Sequence, residues 1–380
     1  MIMTVIIFII VLGVLIFVHE LGHFLVAVFF GIRVDEFAIG FGPKLWSRVG
    51  AARNGTAVRY SFRAIPFGGY VKIYGENGVE NANGNSVGSG AETMPVANSF
   101  AHKNRAIQVA VLFAGIFFNF LFAWIIVSAI FMIGAPVSPD SYPQYASHIH
   151  DTRIVVADVI AGSPAEKAGL KPGDIIHTVG NEPASGQTLS ISEIQQTIEA
   201  TAGKPISING IVVTPVAGIA PADSGISAEQ YVVGIDMESA GTLQLPPWSA
   251  VWEGAQFTIY IVQATAQGVW SLVTGLFQGN RALLSEVSGP VGIASLVGDA
   301  VHVGFVSLLM LVAVISVNLG VLNLVPFPAL DGGRILFVII ESIIRRPIKI
   351  AVMNAVNTVG FAFLILLMIA VTYHDIASRL

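Results

Sequence analysis

The 380-residue chain contains no cysteine. Disulfides and thiolate ligands are excluded, so any bound metal has to be held by His, Asp, Glu or Asn. Charge is scarce too: Asp, Glu, Lys and Arg make up 11% of the residues, where soluble domains carry about 25%. The net charge of −5 gives no sign of a nucleic-acid partner. What replaces charge is apolar, 54% of the chain. These proportions indicate a polytopic α-helical membrane protein with some soluble mass.

Four apolar runs, at about 2–30, 106–133, 304–325 and 351–373, exceed or match the ~20 residues that cross a bilayer. The first lacks a basic start, is too long for a signal-peptide core and is followed by no small-x-small site; it is expected to stay on the protein. Lys and Arg number nine in residues 31–105, five in the much longer 135–303 and four in 334–349. Positive residues favour the cytoplasmic side. Residues 31–105 and 334–349 are therefore expected inside the cell, with 135–303 and both termini outside.

The first run contains His19-Glu20-Leu21-Gly22-His23. On a helix, positions i and i+4 share a face, so both imidazoles can reach one metal ion. Glu20 lies beside that face, where a carboxylate can act as general base. Ionisable residues inside a span are costly and usually functional, so the motif predicts a metal centre within the membrane. The third run ends in Asn323-Leu-Val-Pro-Phe-Pro-Ala-Leu-Asp-Gly-Gly333. Its prolines and glycines should break the helix, and irregular backbone at membrane depth is tolerated only inside protein or along a wet cavity. Asp331 on that segment is expected as the third ligand, against the plainer role of capping the next helix. Asn323 is expected to hold substrate backbone or a developing oxyanion. Two histidines and a carboxylate suit zinc, one ion, with iron or cobalt as alternatives.

Between the first two runs, Val58–Ile65 and Tyr70–Tyr74 partly alternate around Pro66-Phe67-Gly68-Gly69. This predicts a hairpin near the mouth of the metal centre, with Phe67, Gly68, Gly69 and Tyr70 as substrate contacts. Glu76–Ser99 is rich in Gly, Asn and Ser and is expected to be a loop. In the second run Gly115 and Asn119 share a helix face, suiting close helix approach and a hydrogen bond across it. Residues 151–240 suggest a compact α+β domain: strands at 154–160, 171–179, 206–213 and 231–236, and helices near 162–170 and 191–200. The aromatic but polar stretch 248–277 suggests a helix lying at the membrane surface, followed by a turn at 288–293. The domain plan is thus 1–134, 151–240, 248–303 and 304–380.

The 151–240 segment resembles a bacterial-type PDZ domain through Ala161-Gly-Ser-Pro-Ala165, Ala168-Gly-Leu170, Gly173-Asp-Ile-Ile176 and Val179-Gly-Asn181. Together with the two metal motifs, Pro66-Phe-Gly-Gly-Tyr-Val-Lys72, Ala114-Gly-Ile-Phe-Phe-Asn119 and Ser288-Gly-Pro-Val-Gly292, the chain resembles the site-2 protease family, most closely its bacterial RseP-type branch. The resemblance implies zinc held by His19, His23 and Asp331, Glu20 as general base, and a hairpin that presents substrate as a strand. It further implies intramembrane cleavage of single-span proteins, such as anti-sigma factors shortened by another protease, or of signal-peptide remnants, in a bacterial inner membrane. The chain departs from the best-known Gram-negative members in having room for one PDZ-like domain. A peptide or free C-terminus is the expected partner of that domain. Two other functions compete with this one, a non-proteolytic PDZ-bearing scaffold and a metal-dependent transporter; the intact His19, Glu20, His23 and Asp331 argue against the first, and the lack of repeated halves against the second.

Overall fold

Long runs of Leu, Ile, Val and Phe leave the backbone one way to satisfy its hydrogen bonds in hydrocarbon, the helix. The computed structural model describes residues 2–51, 57–76, 98–180, 182–183, 190–217, 230–278 and 289–377. Most of the expected 76–99 loop, the start of the expected 288–293 turn and Asn181 lie outside them. The described chain forms two compact units, Met1–Ser128 with Val251–Leu380, and Ala129–Ala250.

The first unit opens with α1 (Ile2–Phe29), then β1 (Val34–Ala51), β2 (Ala57–Ile73) and α2 (Arg105–Ile133), which continues into the second unit. After the second unit come α5 (Pro247–Phe277), α6 (Pro290–Val303), α7 (Phe305–Leu324), α8 (Asp331–Ile344) and α9 (Ile350–Ala377). Among the described residues, four helices are long and apolar enough to cross a membrane: α1, α2, α7 and α9. Their ends fall within a few residues of the expected runs. The expected turn at 288–293 is instead the start of α6, with Pro290 at its first position, where a missing N–H costs nothing. Asp375 of α9 accepts from the Gly292 backbone N–H at 2.9 Å, fixing that end. Helix α5 is too polar to count among the spans. It runs alongside two of them, Trp124 Nε1 donating to the Val251 carbonyl at 2.9 Å and Thr265 Oγ1 to Asn318 Oδ1 at 2.7 Å.

The hairpin differs from its expected form. Residues 57–73 hold two arms of β2, and the chain reverses between them at Pro66–Gly69, but the arms do not pair with each other: Glu36–Ile39 of β1 lies between them. Both strands are bent. Glu36–Ile39 pairs with Lys72–Gly69 and also with Arg59–Phe62, which in turn pairs with Val49–Trp46. The bend at Pro66–Gly68 carries β2 from one side of β1 to the other. Gly68 has φ of +107°, and a Cβ there would press into the Phe41 ring. Segment 69–73 is thus an outer edge of this sheet among the described residues. Ile32, Val34, Phe37, Val58 and Ile73 pack the sheet onto α1 and α2 around Ala27, Val111 and Leu112. Within the sheet, Glu36 accepts from Ser61 Oγ (2.6 Å), Arg63 Nη2 (3.0 Å) and Tyr70 Oη (3.0 Å). Burial alone would raise the Glu36 carboxyl; these donors and Lys44 outweigh it and hold it below the usual carboxylate range.

The second unit holds β3 (Ala135–Val137), β4 (Ile149–Val159), α3 (Pro164–Ala168), β5 (Ile175–Ile176), β6 (Thr178–Val179), β7 (Glu182–Pro183), α4 (Ile191–Ala200), β8 (Ile206–Ile208), β9 (Ile211–Val213), β10 (Val216–Ala217), β11 (Tyr231–Val232) and β12 (Ile235–Leu243). Two four-stranded sheets, ordered β3-β12-β4-β5 and β7-β6-β8-β9, enclose a core of Ile154, Val156, Leu170, Ile176, Ile194, Ile198 and Ile208. Helix α4 has the expected boundaries and begins with a capping box of Ser190 and Glu193. The single strand expected at 206–213 is two strands joined by Asn209-Gly210, both at positive φ, a two-residue hairpin turn that the dipeptide itself signals.

Candidate metal centre

Helix α1 brings His19 and His23 to one face, and both are buried, at 8% and 7% exposure. Their Nε2 atoms lie 3.3 Å apart. Asp331 Oδ2 stands 3.0 Å from His19 Nε2 and 3.2 Å from His23 Nε2, across 312 residues of sequence. Two atoms each about 2.0–2.1 Å from one ion in tetrahedral geometry sit roughly 3.3 Å apart. This N, N, O donor set, with both histidines buried and Asp331 partly so, fits a zinc ion with one position left open.

Close helix crossing makes this possible. A Cβ on Gly22, inside the histidine motif, would lie 2.8 Å from the Ala114 carbonyl carbon of α2. A Cβ on Gly115 of α2 would lie 2.8 Å from His19 Cε1 and would press on His23 as well. The backbone of α2 is thus the floor beneath both imidazoles. It also supplies their outer partners: His23 Nδ1 donates to the Val111 carbonyl at 2.8 Å, and the Asn119 amide reaches His19 Nδ1 at 3.1 Å. Asn119 and Gly115, expected to serve helix packing, both touch the metal-site histidines. Gly22 was not singled out in the sequence, although a small residue inside a span is a signal of close approach.

Asp331 arrives differently. Helix α7 ends at Leu324, the chain turns through Val325–Leu330, and α8 begins at Asp331. The plainer capping role does not apply: the N-cap position belongs to Leu330, no side chain caps it, and the Asp331 carboxylate faces the histidines. A Cβ on Gly332 would lie 2.6 Å from the Leu324 carbonyl carbon, and one on Gly333 2.7 Å from that of Phe327; only glycines let α8 start so close to the turn. Ala329 sits at φ +73°, a conformation that costs a non-glycine residue. Its N–H donates to Asn357 Oδ1 of α9 at 3.2 Å. Gly360, one turn further along α9, gives Pro328 room, with a Pro328 carbonyl carbon 3.0 Å from where a Cβ would be. Arg334 pairs with Glu76 after β2, and Arg105 of α2 pairs with Glu341 at 2.7 Å. Asn357 and Gly360 carry no chemistry-bearing motif and were not legible as parts of this centre.

The remaining expected residues divide. Glu20 follows His19 on α1, and its Cγ lies 3.6 Å from where a Gly69 Cβ would be, so the outer edge of the sheet passes beside it. Gly69 itself approaches the Ala38 carbonyl too closely for a side chain, a Cβ reaching 2.9 Å. The Tyr70 hydroxyl is engaged with Glu36 and Arg63. The Phe67 side chain lies outside the described residues. Asn323 occupies the last turn of α7, half-buried, its side chain making no hydrogen bond among the described residues.

A model of peptidase family M50 matches residues 7–367 of the chain. A relative from Agrobacterium fabrum, whose name reads "Putative zinc metalloprotease", is 32% identical over 98% of this chain and 95% of its own length. One of that same description from Clostridium perfringens is 35% identical over 95% of both chains. The zinc metalloprotease RasP of Geobacillus kaustophilus is 30% identical over 98% of this chain and 97% of its own.

Proposed function

The chain belongs to peptidase family M50, the site-2 proteases, and is an intramembrane zinc metalloprotease; from that premise we propose that it hydrolyses peptide bonds in or beside the membrane span of single-span proteins, with His19, His23 and Asp331 holding the zinc and Glu20 as general base. The observation that carries the assignment is the convergence of one ligand atom from each of the three residues within 4.8 Å.

Zinc held by His19, His23 and Asp331 would supply Lewis acidity, lowering the pKa of a water beside Glu20 toward ~7. Glu20 takes the water's proton and passes it to the leaving amine. A helical substrate hides its carbonyls in its own hydrogen bonds, so it has to be drawn into an extended form first. The outer edge at Gly69–Ile73 offers backbone N–H and C=O groups next to Glu20, and strand addition there would hold a substrate extended. Gly68 and Gly69 keep that edge free of side-chain bulk, Tyr70 braces it through Glu36, and Asn323, in the last turn of α7, is read as a further contact for substrate backbone.

The second unit is read as a PDZ-like domain. In support, β12 pairs with β4 along its length but with β3 only at Gly241–Leu243. Its Ile235–Ala240 half therefore has an open edge among the described residues, with α4 against the same strand. An extended peptide or C-terminus suits such an edge. The surplus of Lys and Arg in 31–105 and 334–349 supports a bacterial inner-membrane protein with those segments cytoplasmic. Substrates are expected to be single-span proteins already shortened outside the membrane, including anti-sigma factors and signal-peptide remnants.

The test compares wild type with Glu20→Gln on a single-span substrate with a short outer segment, in detergent with zinc. Wild type should cut it and Glu20→Gln should lose cleavage by at least ~100-fold, while both retain one zinc. Full activity of Glu20→Gln would remove the general-base role.

A further inference from the structure

The two histidines present the same atom to Asp331, Nε2, and both turn Nδ1 toward α2. For His23 the partner is a carbonyl, which only accepts. The proton is therefore on Nδ1, and Nε2 carries the lone pair that a metal needs. For His19 the partner is the amide of Asn119, a side chain with no exposed surface at all. An amide can donate or accept, and its oxygen and nitrogen are told apart only by their partners. With Nδ2 toward the ring, Asn119 Oδ1 is buried and has no partner among the described residues. Turning the amide by half a rotation puts Oδ1 against His19 Nδ1, where it accepts the ring proton. His19 then has the tautomer of His23, and both Nε2 lone pairs face the centre.

We propose that Asn119 is a positioning residue for the metal: its amide oxygen, turned into the place where Nδ2 lies 3.1 Å from His19 Nδ1, holds His19 in the ligand tautomer as the Val111 carbonyl holds His23. The inference rests on the reading of His19, His23 and Asp331 as the zinc ligands. Helix α2 thereby acts on the centre without contributing a ligand, and the four-residue spacing of Gly115 and Asn119 has a reason. Gly115 lets the helix come under the rings; Asn119, one turn on, meets the ring that Gly115 has admitted. Outer partners of this kind set ring orientation and ligand basicity, and losing one typically weakens metal affinity ~10- to 100-fold.

The experiment measures zinc affinity of the full-length protein in detergent by competition with a chromophoric chelator. It also reads the His19 tautomer from nitrogen chemical shifts of histidine-labelled protein. Asn119→Leu should bind zinc ~10- to 100-fold more weakly, with His19 losing its fixed tautomer. Asn119→Asp should bind within about threefold of wild type, since a carboxylate accepts the same proton. Ser316→Ala should match wild type, because Ser316 Oγ touches Asn119 only at its backbone carbonyl, at 2.8 Å. Should the leucine variant not fold, Asn119→Ala adds no bulk and carries the same expectation. Asn119→Leu or Asn119→Ala at wild-type affinity with an unchanged tautomer would overturn the proposal, as would Asn119→Asp as weak as the alanine variant. In either case a wild type loaded with one zinc leaves the ligand assignment standing. Wild type that binds no zinc would overturn both.

Discussion

His19 and His23 reach the centre from the middle of an unbroken helix, whereas Asp331 reaches it from a place where two helices meet in a bent segment. The histidines' mutual geometry is local: a four-residue spacing on α1 fixes it before any tertiary contact forms. The rest of the molecule has only to give the rings room, through Gly22 and Gly115, and to turn them, through Val111 and Asn119. Nothing local fixes Asp331 against them. Its position comes from Gly332 and Gly333, the αL backbone of Ala329, the hydrogen bond from Asn357 and the ion pairs of α8. A side chain delivered by periodicity is exposed to changes in its immediate floor; a side chain delivered by a bend is exposed to changes at a distance.

The largest effect should come from the floor. Gly115→Ala puts a methyl 2.8 Å from His19 Cε1, and zinc affinity should fall by at least ~100-fold, with cleavage following it. Gly13→Ala on α1, which meets nothing within 4 Å, should leave both unchanged. Equal behaviour of the two variants would erase the role of the α1–α2 crossing. A smaller effect is expected from afar. Asn357→Leu removes the acceptor of the Ala329 N–H and should lower kcat ~10-fold by displacing Asp331, with a lesser loss of zinc. If kcat and zinc affinity do not move, the bend is held by its own glycines and the comparison needs only its local half.

The smallest effect tests the sheet that borders the site. Glu36 is held below the ordinary carboxylate range in the fold. Its network therefore stabilises the sheet above the unfolded pKa of ~4.3, and that contribution disappears as pH falls through the lower folded value. Amide exchange across residues 34–39 and 69–73 should be slower in wild type than in Glu36→Gln at pH 7, and the two should converge in strong acid. A difference that persists there would assign the protection to packing alone.

The same contrast explains what the sequence told in advance. The four spans were legible because apolar run length is a direct physical requirement of the bilayer, and α4 because its capping box and apolar spacing agree. The histidine pair was legible for the same reason of spacing. Asp331 was legible only through the prolines and glycines around it, since its partners are 312 residues away. The turn at Pro66–Gly69 was legible from its residues, but not that Glu36–Ile39 would lie between its two arms, since pairing with a distant strand leaves no local pattern. Asn209-Gly210 was overlooked inside an otherwise strand-like run. The hydrogen bond between Asn119 and His19 spans 100 residues, and no local pattern announces which side chain a buried asparagine will meet.

Helix α1 continues ten residues past His19 to Phe29, about 15 Å at ~1.5 Å per residue. In a hydrocarbon layer ~30 Å thick that depth is near the midplane, where bulk water is absent. The scarce reactant at this centre is then water, not peptide. The Arg334–Glu76 pair joins two segments whose surplus of Lys and Arg suits the water-facing side of a membrane, and Arg334 stands three residues along α8 from Asp331. The ion pair that steadies α8 would therefore bring hydration to within one helical turn of the three converging side chains.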